Sequence, residues 1–235
     1  MTNQEKKTLC VNSSEDYIQL AIGDGTGLLC GMETRAERQG IVLTPKLINS
    51  CLKVIDSDLA DINRLACVIG PGSFTGLRIS ISILTGISMS RNIPMGGINY
   101  LDLLAHNAFL SVKGRVFVIL YAKINLVYVQ GFVGPDPISP LHPPKVCKLD
   151  KVKDLFDTHK GEVYVLGSGV RRYVELFDKW PITVLDPVFD RPSLESLIKY
   201  SSKIEYSTSP LSPIYLRPSD AEENLEVIAK KRGLN

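Results

Sequence analysis

The chain has 235 residues, 44% of them apolar and 22% charged, with 27 Lys and Arg against 25 Asp and Glu for a net charge of +2. That length holds one large domain or two small ones with developed cores, which excludes a disulfide-stapled miniature and a disordered tail. So small a basic excess argues against a dedicated nucleic-acid binder, because neutralising phosphates takes a strongly basic face.

The N-terminal part reads as strands at Thr8–Val11, Tyr17–Ile22 and Gly27–Met32, joined by short turns as in an antiparallel meander. A helix is expected from Thr44, as cap, with Pro45 in its first turn and Leu47, Ile48, Cys51, Leu52 and Ile55 on one apolar face. The apolar run Leu65–Ile69 reads as a strand buried on both faces. Residues 77–91 carry both a strand and a helix period, and their length favours a helix. A strand at 93–97 and a helix at 100–109 complete this half.

After residue 110 a strand pair is expected at Val116–Tyr121 and Leu126–Phe132. Residues 134–144, which hold five of the fourteen prolines, read as a surface loop. Helices follow near 151–158, 170–178 and 194–200, with a strand at 162–166 and a terminal helix at 221–231. The alternation implies two α/β lobes: an N-terminal lobe at 1–110, a C-terminal lobe at 111–217, and a tail or helix at 218–235.

Cys10, Cys30, Cys51, Cys67 and Cys147 form no CxxC pair and are expected reduced and mostly packed. The polar start, Met1 to Lys7, precedes no signal-length apolar core, and no apolar run approaches the ~20 residues of a membrane span. A soluble, cytoplasmic protein with no membrane partner is the expectation. No metal-binding spacing is present, so none is expected.

The strongest local signal is Gly70-Pro71-Gly72-Ser73-Phe74-Thr75-Gly76, between a buried strand and a helix. Its glycines permit backbone conformations closed to other residues, and a helix N-terminus attracts anions. The turn reads either as a phosphate cradle or as a tight strand-to-helix connection. It matches neither the Walker nor the GxGxxG spacing, and Gly72 directly before Ser73 breaks the GxSxG elbow. With His106, His142 and His159 in unremarkable positions, no catalytic residue is assigned. Residues proximal to a phosphate or nucleotide, on the cradle reading, are Asn12, Ser13, Ser14, Gly70, Gly72, Ser73, Thr75 and Gly76.

Val68 to Ile79, reading VIGPGSFTGLRI, resembles the GPGSFTGLRIG signature of the TsaB (YeaZ) family. Thr44–Ile48 resembles that family's LLPLI helix, the run GINYLDLLA that ends the 80–105 stretch its GVSSLEALA helix start, and Pro213–Arg217 its PxYLR segment. The resemblance implies an α/β, two-lobed actin-like and sugar-kinase-like ATPase fold with ribonuclease-H-like lobes. It implies a non-catalytic subunit that pairs with the catalytic TsaD and the ATPase TsaE to place a threonylcarbamoyl group on the adenosine beside the tRNA anticodon. Any ATP or ADP would then belong at the heteromeric interface, tRNA would be met mainly through the complex, and a homodimer is the alternative state in isolation. The implied partner surface is the helical face at 44–55 and 77–90, with Leu47, Cys51, Ile55, Ile79, Ile83 and Ile87.

Three positions depart from the family pattern: Asn12 stands for an aspartate, Gln39-Gly40-Ile41 for His-Ser-Glu, and Tyr121-Ala122-Lys123 for Asp-Ala-Arg. The first removes a carboxylate that handles metal–nucleotide in related ATPases. An autonomous nucleotide-binding enzyme of the actin-like superfamily is the alternative function, and a peptidase finds no nucleophile–base pair.

Overall fold

The computed structural model describes residues 6–157 and 161–218; the expected helix at 221–231 and His159 lie outside them. The first sheet has the order β3-β2-β1-β4-β5, from β1 (Lys7–Asn12), β2 (Tyr17–Asp24), β3 (Gly27–Arg35), β4 (Ile62–Gly70) and β5 (Met95–Asn99). The first three strands form the expected meander, and β4 and β5 extend it in parallel.

Period-2 alternation splits this sheet between two cores. Leu9, Val11, Leu65 and Cys67 face α1 (Gly40–Val54) and α2 (Phe74–Arg91), while Cys10, Ala66 and Val68 face α3 (Tyr100–Ala108) and α7 (Leu194–Ser201). Both faces are covered, which is why the strands read as nearly continuous apolar runs.

Residues 77–91 are helical, in keeping with their length: α2 buries Leu77, Ser80, Ile81, Leu84 and Ser88, the i, i+3, i+4, i+7 series. Ser73 caps it by accepting from Gly76 N, and Asn92 ends it in the left-handed region. The α1 expectation needs correction. The helix starts five residues early, capped at Gln39, after a tight turn in which Gln39 N donates to Ala36 O at 2.6 Å. Thr44 is therefore an interior, fully buried residue rather than the cap, and Pro45 lies past the first turn.

The second sheet has the order β11-β10-β6-β7-β8, from β6 (Gly114–Lys123), β7 (Leu126–Gly134), β8 (Ser139–Pro140), β10 (Val163–Leu166) and β11 (Thr183–Val184), with β9 (Lys145–Lys148) also on β7. Strands β8, β9 and β11 are too short to show a period, and β8 falls inside the segment read as loop. Toward 151–158 the chain makes a short 3-10 turn and α4 (Asp154–Asp157). The helix read at 170–178 is two pieces, α5 (Ser168–Arg172) and α6 (Val174–Phe177), broken where Tyr173 adopts φ −130°.

Chain order and spatial neighbourhood part at the end. Helix α7 follows the second sheet in sequence but packs on β1, β2 and β3 of the first, and Met95 pairs with Ser207. All five cysteines are free, and Cys10, Cys51 and Cys67 are buried, with burial pushing the Cys10 thiol up to about 12. No helix among the described residues is long and apolar enough to cross a membrane.

Candidate functional site

Strand β1 ends in the turn 12–14, which meets the turn 70–76 after the neighbouring parallel strand β4. The two approach backbone to backbone. A Cβ on Gly72 would lie 2.2 Å from Ser14 O, and one on Gly76 would lie 2.1 Å from Ser13 O. Ser73 N donates to Ser14 O at 2.6 Å, and Ser13 Oγ donates to Gly76 O at 2.8 Å and also meets Ser80 Oγ.

Of the motif's glycines only Gly70 has positive φ, +116°. Gly72 and Gly76 are required for their missing side chains, not for unusual backbone angles, contrary to the conformational argument made from sequence.

Asn12 is buried, and its side chain is fully engaged: Nδ2 donates to Gln19 Oε1 at 2.8 Å, while Oδ1 accepts from Ser14 N at 3.1 Å and Ser14 Oγ at 2.8 Å. The residues do not fit a magnesium–nucleotide group at this turn. An amide replaces the carboxylate, the Ser13 hydroxyl is engaged by Gly76 and Ser80, and the Ser13 and Ser14 carbonyl oxygens occupy the space beside Gly76 and Gly72. The tight-connection reading of the glycine turn is the one this geometry supports.

A third segment joins them. Ile214 N donates to Ile69 O at 2.7 Å, directly over Gly70. The Tyr215 ring stacks on Phe74 with centroids 4.6 Å apart, Arg78 Nε donates to Tyr215 Oη at 2.7 Å, and the Arg217 guanidinium lies 5.8 Å from the Phe74 ring. The two quoted motifs, more than a hundred residues apart, are thus one packed unit.

Between the lobes runs a cleft of about 780 Å³, lined among others by Asn12, Ser14, Gly72, Ser73 and Thr75 on one side and Tyr121, Ser168 and Arg171 on the other. Ser13, Thr75 and Gly76 border a second hollow of about 720 Å³ beside the start of α1, and Gly70 lies beneath Ile214. The lobes are bolted together across the cleft. Arg191 Nη1 reaches Glu33 Oε1 at 2.5 Å and its guanidinium lies 3.9 Å from the Tyr17 ring, while Gln19 Nε2 donates to Pro192 O at 2.8 Å. Within the second lobe, Gly167 N donates to Asp190 Oδ1 at 2.7 Å, and Asp190 is paired to Arg171 at 2.5 Å.

Glu15, which no sequence signal marked, accepts from Tyr100 Oη at 3.1 Å and is hydrogen-bonded by Ser168 of the second lobe. Burial raises its carboxyl to about 7, against the opposing pull of these two hydroxyls. Because the folded pKa lies above the unfolded one, the neutral form is favoured by folding. The associated stability is complete below about pH 4.5 and is lost as pH rises through about 7. Urea titrations at pH 5 and pH 8 should show wild type losing about 2 kcal/mol more than Glu15→Gln over that interval, after allowing for the partly open rim. Parallel pH profiles for the two chains would refute the assignment.

The outer face of α1 and α2 carries exposed apolar side chains among polar ones, Lys46, Asn49, Ser50 and Lys53 on α1 and Ser82 and Ser90 on α2. Ile41 is 65% exposed, Val54 67% and Met89 81%, with Ile79, Ile83, Ile87, Leu47 and Ile55 half-buried between the helices. Cys51, expected at this surface, has no exposed area and packs in the core beneath α1. It occupies the helix face opposite solvent, a rotation that the apolar spacing alone does not distinguish.

A family profile described as TsaD, tRNA N6-adenosine threonylcarbamoyltransferase, matches residues 34–155, just over half of the chain. The chain belongs to this family. Within it the similarity is to the TsaB (YeaZ) proteins, as residues 68–79 indicated. A TsaB from Buchnera aphidicola is 28% identical over 70% of this chain and 79% of its own length, and the Escherichia coli TsaB is 26% identical over 76% and 81%. YeaZ of Pseudomonas aeruginosa superposes with a TM-score of 0.73 at 21% identity, covering 90% of this chain and all of that one. The ethanolamine utilization protein EutJ of Carboxydothermus hydrogenoformans gives 0.50 at 13% identity, covering 82% and 89%. The two-lobed actin-like ATPase fold is therefore borne out, and family membership supports a role in tRNA threonylcarbamoyladenosine biosynthesis.

Proposed function

We propose that this chain is the non-catalytic subunit that binds and activates TsaD for threonylcarbamoyl transfer to the adenosine beside the tRNA anticodon. The observation that carries the reading is the set of exposed or half-buried apolar residues on α1 and α2, Ile41, Leu47, Val54, Ile79, Ile83 and Ile87, set among polar ones as in a partner surface. The chemistry around Asn12 supports an accessory role. A side chain that donates to Gln19 and accepts from Ser14 has no charge to offer a metal.

On this reading the N-terminal lobe docks on TsaD through Leu47, Ile55, Ile79, Ile83 and Ile87. TsaE joins the assembly, and any ATP or ADP sits at the heteromeric junction rather than in this chain's own cleft. The tRNA is gripped by the partners, in keeping with the small net charge. The work is cytoplasmic.

Mixing the purified chain with TsaD and TsaE of the same organism should yield a TsaD heterodimer on size exclusion and stimulate threonylcarbamoyl transfer to tRNA. Absence of both the complex and the stimulation refutes the reading. Turnover of Mg-ATP by the isolated chain would favour the autonomous enzyme instead.

A further inference from the structure

Helices α1 and α2 each connect strands that run in the same direction, so they lie parallel with their N-termini together, where Gly40 abuts Ile79. The described chain ends at the same end of α2, on the side that faces the inter-lobe cleft. Tyr215 and Arg217 are held against Phe74 and Arg78 in the first turns of α2, so the described residues end, at Pro218, within one helix width of the N-terminal edge of the apolar face.

We propose that residues 219–235 are the intramolecular occupant of the groove between α1 and α2, competing with the protein partner for that surface. The inference rests on the partner reading only in naming the competitor.

Length permits it. Seventeen residues reach from about 26 Å as a helix to about 56 Å extended, and α2 with its 18 residues is about 27 Å long. Charge sets the direction. The segment begins with Asp220, Glu222, Glu223 and Glu226 and ends with Lys230, Lys231 and Arg232. At the N-terminal edge of the face the exposed Arg38 and Arg78, with Arg35, outnumber Asp16 and Glu37; at the far edge Asp56, Asp58 and Asp61 balance Lys53, Arg91 and Lys7, whose ammonium donates to Ser57 Oγ at 2.9 Å. The carbonyl ends of both helices add negative potential there. A segment running from the start of α2 toward its end places acid on base at the first edge and base on the carbonyl ends at the other. Leu225, Val227 and Ile228, at the end of the acidic block, would supply the apolar surface for Ile79, Ile83 and Ile87.

The test is hydrogen exchange on the dilute full chain and on the full chain carrying Leu225→Glu and Ile228→Glu. Amides of residues 41–54 and 79–90 should exchange several-fold faster in the variant, and a synthetic peptide of residues 219–235 should restore their protection. If the segment occupies the face nine-tenths of the time, the variant binds TsaD about tenfold more tightly. Equal exchange in both chains overturns the proposal, as does protection that rises with protein concentration and ignores the substitutions, which would identify a second copy as the cover. Faster exchange without any TsaD binding leaves the occupant assigned and refutes the partner reading alone.

Discussion

Gly76→Ala is expected to cost about 3–5 kcal/mol of folding stability, a large fraction of what a domain of this size possesses. Residue 76 lies in the first turn of α2, where alanine is ordinarily the better helix former. Here its methyl group would be placed 2.1 Å from the Ser13 carbonyl oxygen. Ser13 cannot give way cheaply, since its turn continues directly from β1 and its hydroxyl is bonded to Gly76 O.

Gly86→Ala in the same helix is the internal control. A Cβ there meets nothing within 4 Å, so the substitution is neutral or stabilises by up to about 1 kcal/mol. Thermal unfolding of the two variants should separate them by roughly 10 °C or more. Similar midpoints would mean that the turns do not approach as closely as described.

Ile83→Glu should reduce affinity for TsaD by about 30-fold or more, the effect of removing a central apolar anchor. Ile83 is half-buried and also touches the core, so Ile41→Glu, at a residue 65% exposed, separates loss of binding from loss of folding. Val188→Glu, exposed on the second lobe, should leave binding unchanged. Retained binding by both α1 and α2 variants would remove this face from the interface.

The lesson of these positions is uneven. Local patterns carried the meander, the buried strand at 65–69 and the choice of helix at 77–91, because burial on one face imposes a period along the chain itself. They misplaced the start of α1, because that start is set by the 36–39 backbone turn, and Thr44 carries the same cap chemistry whether it starts a helix or sits inside one. They left Asn12 and Ser13 open between a ligand and the turn itself, because residue type reveals hydrogen-bonding capacity and not which partner takes it.

By itself the sequence determined a reduced, near-neutral α/β protein of two lobes and, through residues 68–79, its family. Only the tertiary structure decided that Gly72 and Gly76 serve close approach and that Pro213–Arg217 closes over the same turn. The tertiary structure likewise decided that Cys51 is core while Ile41 is surface, and that Glu15 joins Tyr100 to Ser168 across the cleft. Each of those facts is a meeting of segments distant in sequence. Their distances are set by the packing of whole elements, and no periodicity or residue type along the chain encodes them.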